Sequence, residues 1–373
     1  MKELKILALL VIITGIIYWG VEPLAHSVMN PHVAPADYTF KDSVAPAPVY
    51  DNIRKPIADA ALEKARNDVL AGKDINTLPA EEAEKLDAQI QAEFDSKYKA
   101  QVDTEAQQIY EKQLADWNKL VEDTFPVLSE TINKGNAANG QELVTGNCVA
   151  CHSIESQGFA QAMDNATLSS TYGVVPPDLS STGYLYDSYY LFNFIKDPAV
   201  AAKVSHKFAE GSGKVHPMLA YKDVNSDAEI ADMVAYLKNI APKEMDNKQA
   251  FIDACARCHS VKYDGIEALS TADNVNAYMG VRYIPDLSII IRARSLDYLH
   301  TFINDPQKRL PGTSMPRVGL NEQAEKQVIA YLESVGDSKK AERESLGIYL
   351  MGFFAIMAIL AYLWKNSRWR DLH

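Results

Sequence analysis

Two short runs constrain this chain more than anything else in it: Cys148-Val149-Ala150-Cys151-His152 and Cys255-Ala256-Arg257-Cys258-His259. Each is a C-x-x-C-H sequence. Its two thiols are spaced to bond covalently to a porphyrin, and the following histidine falls beneath the iron. The two runs use all 4 cysteines of the 373 residues and two of the 8 histidines. Paired C-x-x-C elements also hold zinc, but zinc-ribbon halves stand about 15–20 residues apart and need no trailing histidine. The motifs therefore predict two covalently bound haem c groups. Cys148 and Cys151 would attach one, and Cys255 and Cys258 the other. His152 and His259 would be the axial ligands. No thiol is left for a disulfide.

The segments around the motifs repeat in the same order. Gly135 to Leu143 reads as a helix entering Cys148. After the first motif come Pro176-Pro177-Asp178-Leu179-Ser180, a helical stretch from Tyr189 to Lys196, Asp197-Pro198, and a loop with His216-Pro217-Met218-Leu219. The unit closes with Asp227 to Ile240, whose apolar residues Ile230, Met233, Val234, Leu237 and Ile240 share one helical face. After the second motif come Ile284-Pro285-Asp286-Leu287-Ser288, Tyr298 to Asn304, Asp305-Pro306, Ser314-Met315-Pro316, and a closing helix from Glu322 to Val335. Ala235-Tyr236-Leu237 matches Ala330-Tyr331-Leu332. Such parallel order weighs more than any single motif. It predicts tandem all-helical cytochrome c domains over 133–243 and 244–338, each wrapped on its own haem.

The order also selects the sixth ligands. A His/Met pair is common in electron-carrying cytochromes c, and the thioether raises the potential. Met315 is the candidate for the second haem and Met218 for the first, with His216 and His206 as rivals to Met218. Met233, Met163 and Met245 read as core filler, while Met279 lies in an expected loop. A ligating imidazole donates its other N–H to an acceptor. In cytochromes c a proline carbonyl commonly provides it, which points to Pro177 and Pro285. Arg292 and Arg294 could pair with haem propionates or be solvated surface residues.

The rest of the chain frames these units. Lys2 and Lys5 precede an apolar run from Ile6 to Val21, at the short end of the roughly 17–25 residues a membrane span needs. A cleaved signal peptide fits the charge and the apolar stretch, but Glu22-Pro23-Leu24-Ala25-His26-Ser27 offers no small-x-small cleavage site. An uncleaved signal anchor over 1–22 is the expectation. A proline-rich linker follows over 23–51, with Pro31, Pro35, Pro46 and Pro48. From 52 to 128 the composition turns to Ala, Glu, Asp, Lys and Gln, which favours helix. Gly72-Lys73-Asp74 and Pro79 interrupt it, and Leu86, Ile90, Phe94, Tyr98 and Val102 form a stripe. This predicts an acidic helical hairpin, either a spacer or a docking arm. Leu346 to Trp364 is a second apolar span, an anchor over 344–366, followed by Lys365, Arg368 and Arg370 with Trp364 and Trp369 at the interface. Positive flanks at both ends put both termini in the cytoplasm and the haem domains across the membrane. The net charge of −12 argues against nucleic acid. It suits a basic protein partner or simple solubility.

Pro285-Asp286-Leu287-Ser288-Ile289-Ile290-Ile291-Arg292-Ala293-Arg294 resembles the Pro-Asp-Leu-Ser…Ala-Arg segment of cytochrome c1, the haem subunit of the cytochrome bc1 complex. The tail Tyr362-Leu363-Trp364-Lys365…Arg368-Trp369…Leu372 is similar to that family's anchor. Ordinary members carry one haem. The duplicated domain, and the opening Tyr18-Trp19-Gly20-Val21-Glu22-Pro23-Leu24-Ala25-His26-Ser27, resemble the dihaem cytochrome c1 of epsilonproteobacterial complexes. The resemblance covers both ends and residues 133–338, not the acidic stretch. It implies cytochrome b and Rieske iron–sulfur partners in a dimeric complex, a cytochrome c acceptor, a bacterial inner-membrane location with periplasmic haem domains, and Arg294 near a propionate. Electrons would pass from the Rieske centre through both haems, the second receiving first, and the chain alone would catalyse no bond chemistry. Two alternatives are the dihaem subunit of a cbb3-type oxidase, against which the C-terminal anchor argues, and a membrane-tethered dihaem peroxidase, which needs an open iron site.

Overall fold

The computed structural model describes residues 2–21, 24, 36–72, 75, 79–209, 211–280 and 283–370. The exit of the first apolar run apart from Leu24, the linker prolines Pro31 and Pro35, Lys73 and Asp74 of the helix break, and Leu372 lie outside them. Among the described residues there is no extended strand, only three isolated bridges. In chain order the helices are α1 (Lys2–Ile16), α2 (Tyr50–Leu70), α3 (Ala80–Glu93), α4 (Lys99–Asn133) and α5 (Ala137–Asn147). Then come α6 (Asn165–Tyr172), α7 (Thr182–Leu185), α8 (Ser188–Lys196), α9 (Pro198–Ala201) and α10 (Asp227–Ile240). The second haem motif is flanked by α11 (Asn247–Cys255) and α12 (Ala272–Met279), followed by α13 (Ile290–Ala293), α14 (Leu296–Asn304), α15 (Pro306–Arg309), α16 (Glu322–Gly336) and α17 (Lys340–Arg370). The chain divides into two compact units. One comprises Thr39–Val149 and Asp187–Asn239, and the other Met1–Tyr38, Ala150–Tyr186 and Ile240–His373.

The first of these units contains the acidic arm. Helix α2 ends at Ala71 in the left-handed conformation, with Gly72 also at positive φ, and the chain reverses. Ala61, Ala65 and Leu70 of α2 then pack on Ile90, Phe94 and Val102 of the returning arm. The stripe that predicted a helix steps by four. In an α-helix each such step drifts about 40° around the axis, since a residue turns about 100°. A π-turn at Phe94–Tyr98 links α3 to α4. Its extra residue takes back about 100° of that drift, so one face stays inward. Helix α4 continues to Asn133, and its lower half is pinned to α8 of the first repeat and to the linker. The Phe125 and Tyr189 rings lie 4.8 Å apart, and Trp117 Nε1–H donates to the Ala45 carbonyl at 3.2 Å.

Also in this unit, α5 crosses α10 at very close range. A Cβ on Gly140 would lie 1.9 Å from the Asp232 carbonyl oxygen, and one on Gly135 2.3 Å from that of Ala231. The Asp232 carboxylate accepts the Asn136 backbone N–H at 2.6 Å and the Asn139 side-chain amide at 3.3 Å, which locks the crossing.

In the other unit the equivalent crossing joins α11 to α16, with Phe251 and Tyr331 rings 5.0 Å apart. Residues from the first repeat pack here as well. Tyr186 bridges to Leu320, and Asn321 donates through its backbone and side chain to the carbonyls of Leu185 and Tyr184. Helix α17 is 31 residues long and the one described helix long and apolar enough to cross a membrane. The expected span at the N-terminus is a shorter apolar α-helix, since α1 ends at Ile16 and passes into a π-turn at Ile17–Val21. Fifteen α-helical residues reach roughly 22 Å, short of the ~30 Å hydrocarbon core.

Candidate haem sites

Each C-x-x-C-H run follows a capped helix. Asn136 caps α5 through the Ala138 and Asn139 N–H groups, and Asp246 caps α11 through that of Gln249. The Cys148 N–H still bonds back to the Val144 carbonyl at 2.9 Å, so the motif begins as the last turn of its helix. No disulfide joins the four cysteines; Cys151 is exposed, and Cys148, Cys255 and Cys258 are partly buried. Burial pushes the Cys255 thiol up to about 12, with the Arg257 guanidinium partly offsetting it.

After the histidine, both copies build the same brace. Ile154 bridges to Phe159, and Val261 to Ile266. The Pro-Asp-Leu-Ser segments then clamp the motif residue by residue. Nδ1 of His152 lies 2.8 Å from the Pro177 carbonyl oxygen, and Nδ1 of His259 lies 3.0 Å from that of Pro285. A carbonyl only accepts, so Nδ1 carries the proton in both rings and Nε2 keeps its lone pair. Asp178 accepts the Glu155 N–H at 2.9 Å, and Asp286 accepts the Lys262 N–H at 3.0 Å. Leu179 and Leu287 donate to the carbonyls of Ser153 and Ser260, each at 2.9 Å. The hydroxyls of Ser180 and Ser288 accept the N–H groups of Ser156 and Tyr263.

This brace sets the charge states. Burial holds both His152 and His259 below the usual imidazole range, against the opposing pull of their proline carbonyls. Burial opposes ionisation of Asp286, but the Ser288 and Ser260 hydroxyls and two backbone N–H groups outweigh it and bring the carboxyl down to about 2. Asp178 is lowered in the same way. Neutral imidazoles with a free Nε2, each beside two thiols, are the donor set a covalent haem requires.

The distal candidates sit in loops. Met315 is partly buried, its N–H directed at the Thr313 hydroxyl at 3.3 Å. The neighbouring Ser314 hydroxyl donates to the Met279 carbonyl at 2.8 Å, so Met279 anchors the Met315 loop through its backbone. Met218 is also partly buried. Nδ1 of His216 lies 3.1 Å from the Met218 carbonyl oxygen and 3.2 Å from its backbone nitrogen, and that ring meets the edges of Phe194 and Phe208. His206 is exposed. Met233 is fully buried in α10.

Arg294 is exposed and lies over the Tyr298 ring at 5.2 Å, while Arg292 pairs with Asp337 at 3.5 Å. Sequence reasoning missed Arg309. It lies over the same Tyr298 ring at 5.7 Å, and its Nε and Nη2 are buried without a hydrogen-bond partner among the described residues. Buried guanidinium donors with nothing to bind suit a carboxylate. Nothing in the Asp305-Pro306-Gln307-Lys308-Arg309 stretch distinguishes this arginine from a surface one.

The family model for cytochrome c matches residues 137–241 and again 246–336. The chain belongs to the cytochrome c family. A cytochrome c from Tetrahymena pyriformis is 25% identical over 114 residues, which is 30% of this chain and 94% of that relative. No solved structure matches. Membership makes this an electron-transfer protein with covalently bound haem c, and the two matched regions coincide with the two braced motifs.

Proposed function

We propose that this cytochrome c is the dihaem subunit of a cytochrome bc1 complex, of the cytochrome c1 type, carrying electrons from a Rieske iron–sulfur protein to a cytochrome c acceptor. The observation that supports two haems is the duplicated brace, in which Pro177 and Pro285 leave Nε2 of His152 and His259 free to bind iron. Cys148, Cys151, Cys255 and Cys258 attach the porphyrins, and Met218 and Met315 complete the iron shells. A bound haem c supplies the reversible one-electron couple, and the chain holds it, excludes water and sets its potential. Arg309, alongside Arg294, would receive a propionate of the second haem. Helix α17, and α1 together with the π-turn that continues it to Val21, would anchor the protein at both ends, with the haem domains in the periplasm of a bacterium and both termini in the cytoplasm.

The narrower assignment rests on the Pro285 to Arg294 segment and the basic, aromatic tail. It is tested by purifying the tagged protein from native membranes in mild detergent and identifying its partners by mass spectrometry. A cytochrome b and a Rieske protein are expected. A copper–haem oxidase subunit would overturn the assignment in favour of a terminal oxidase. For the first haem, Met218→Ala is expected to lower the midpoint potential; an unchanged midpoint would eliminate Met218 and leave His216.

A further inference from the structure

Within one unit, His152 of the first haem motif and Cys258 of the second are tied together through one buried residue, Ser270. Ser270 is 3% exposed and stands two residues before the second repeat's α12. Its hydroxyl accepts the N–H of Val175, itself 2% exposed, at 2.9 Å. Val175 stands two residues before Pro177, whose carbonyl takes the Nδ1 proton of His152 at 2.8 Å. On the other side, the Ser270 N–H donates to the Arg257 carbonyl at 3.0 Å. Arg257 is bonded directly to Cys258 of the second motif. A continuous line of covalent and hydrogen bonds therefore runs from the axial histidine of the first site to an attachment cysteine of the second. Only the Val175–Ser270 bond in it crosses between repeats.

The surroundings hold this bond in place. The Ser169 hydroxyl accepts the Thr271 N–H at 3.3 Å and the Asn274 side-chain amide at 3.1 Å. Gly173, at φ 77°, lies so close under the Tyr278 ring that a Cβ would sit 2.5 Å from it. The fold does not require the link. Cys148 and Cys255, the bridges at Ile154 and Val261, and the starts of α6 and α12 are each 107 residues apart, and at that spacing Ser270 corresponds to Met163. Methionine offers no hydroxyl, so the reciprocal link is not made. A buried hydroxyl is costly unless paired; here the Ser270 hydroxyl is paired to the Val175 N–H, while its backbone N–H holds the Arg257 carbonyl.

We infer that Ser270 is a positioning residue for electron exchange between the two haem sites, acting through the Val175 N–H and the Arg257 carbonyl. This rests on the two-haem reading above. With haem held by His152 and the Cys148/Cys151 pair at one site and by His259 and the Cys255/Cys258 pair at the other, the exchange would move one electron from a ferrous to a ferric site. No bond breaks and no proton moves. Electronic coupling falls off faster across a through-space gap than along bonded atoms, so a bonded line between the sites favours the exchange.

The test compares Ser270→Thr with Ser270→Val in the haem-loaded, full-length protein in detergent. Both add similar bulk, and only threonine keeps the hydroxyl. Haem is first counted per chain. Both midpoint potentials, the hydrogen exchange of the Val175 amide and the inter-haem rate after pulsed reduction are then measured. In Ser270→Val the amide should lose protection and the inter-haem rate should fall, with both midpoints unchanged. Ser270→Thr should retain protection and rate. Ser270→Ala, which adds no volume, should show the same losses as valine. Equal rates in the threonine and valine variants, with the valine amide deprotected, overturn the inference and leave the two-haem reading standing. One haem per chain overturns both.

Discussion

The crossing of α5 and α10 yields a matched pair of substitutions. Gly140 and Gly146 lie in the same helix, six residues apart. An alanine Cβ at Gly140 would stand 1.9 Å from the Asp232 carbonyl oxygen, 2.5 Å from its carbon and 2.9 Å from the Tyr236 Cβ. At Gly146 the same atom meets nothing within 4 Å. Ordinary contact needs roughly 3.5 Å, so at Gly140 the two helices must separate by about 1.5 Å. The obstacle is backbone, and the Asp232 bonds to Asn136 and Asn139 resist the movement. Such overpacking costs about 1–3 kcal/mol. Alanine regains about 1 kcal/mol of helix propensity at either position. Because the substitution is the same, its effect on the unfolded chain cancels. Gly146→Ala should therefore stabilise by up to about 1 kcal/mol, while Gly140→Ala should destabilise by up to about 2 kcal/mol after the propensity gain. Denaturant unfolding followed at the haem absorption band, with native-state hydrogen exchange of α5 amides, reads both. Equal unfolding midpoints and equal α5 protection in the two variants would refute the close crossing.

Two carboxylates give pH tests of opposite sign. The folded pKa of Asp286 is about 2 against an ordinary 3.8, so its contribution to stability is complete above the ordinary value and disappears as pH falls through about 2. In acid titrations the advantage of wild type over Asp286→Asn should shrink across that window, and a constant difference would count against the brace. Glu325 is fully buried in α16, where His300 lies 2.7 Å and the Tyr38 hydroxyl 2.9 Å from Oε1. Burial raises its pKa above the ordinary 4.5, with the His300 and Tyr38 bonds partly offsetting it. Wild type should lose stability relative to Glu325→Gln as pH rises from the ordinary carboxylate range through the raised value. Parallel urea midpoints for the two proteins over that range would show that the carboxyl does not titrate there.

Much of the helical plan was legible because the motifs mark it. The stretch read as Tyr189 to Lys196 is Ser188–Lys196, and Asp227 to Ile240 is α10 itself. Ligand chemistry calls for an acceptor for the imidazole's other proton, and the habit of cytochromes c to use a proline carbonyl points to Pro177 and Pro285, where the structure has it. What escaped the sequence depends on which faces meet. Glu325 lies in Glu322-Gln323-Ala324-Glu325-Lys326, a stretch that reads as solvated, and only the packing of α14 and Tyr38 around it shows a buried carboxyl. Arg309 and Ser270 likewise carry no local signal. The four-residue stripe marked the arm as helical, but the π-turn that keeps the stripe inward follows from contact with α2. At the N-terminus composition pointed to a span, and the α-helix stops at Ile16.

The duplicated brace has a consequence for how the two sites differ. Their proximal halves are near copies, down to which carbonyl holds which ring and which carboxylate clamps which amide. Their distal halves are not. The stretch between α9 and α10 is about twice as long as that between α15 and α16, and it brings His216 against Met218 where the second repeat has Thr313 and Ser314 around Met315. Axial ligand, hydrogen bonding and burial are the protein's controls over a haem potential. If each repeat holds a haem, the shared brace would leave the distal loops as a main source of any difference in potential between them, and substitutions there would retune one carrier while the other keeps its setting.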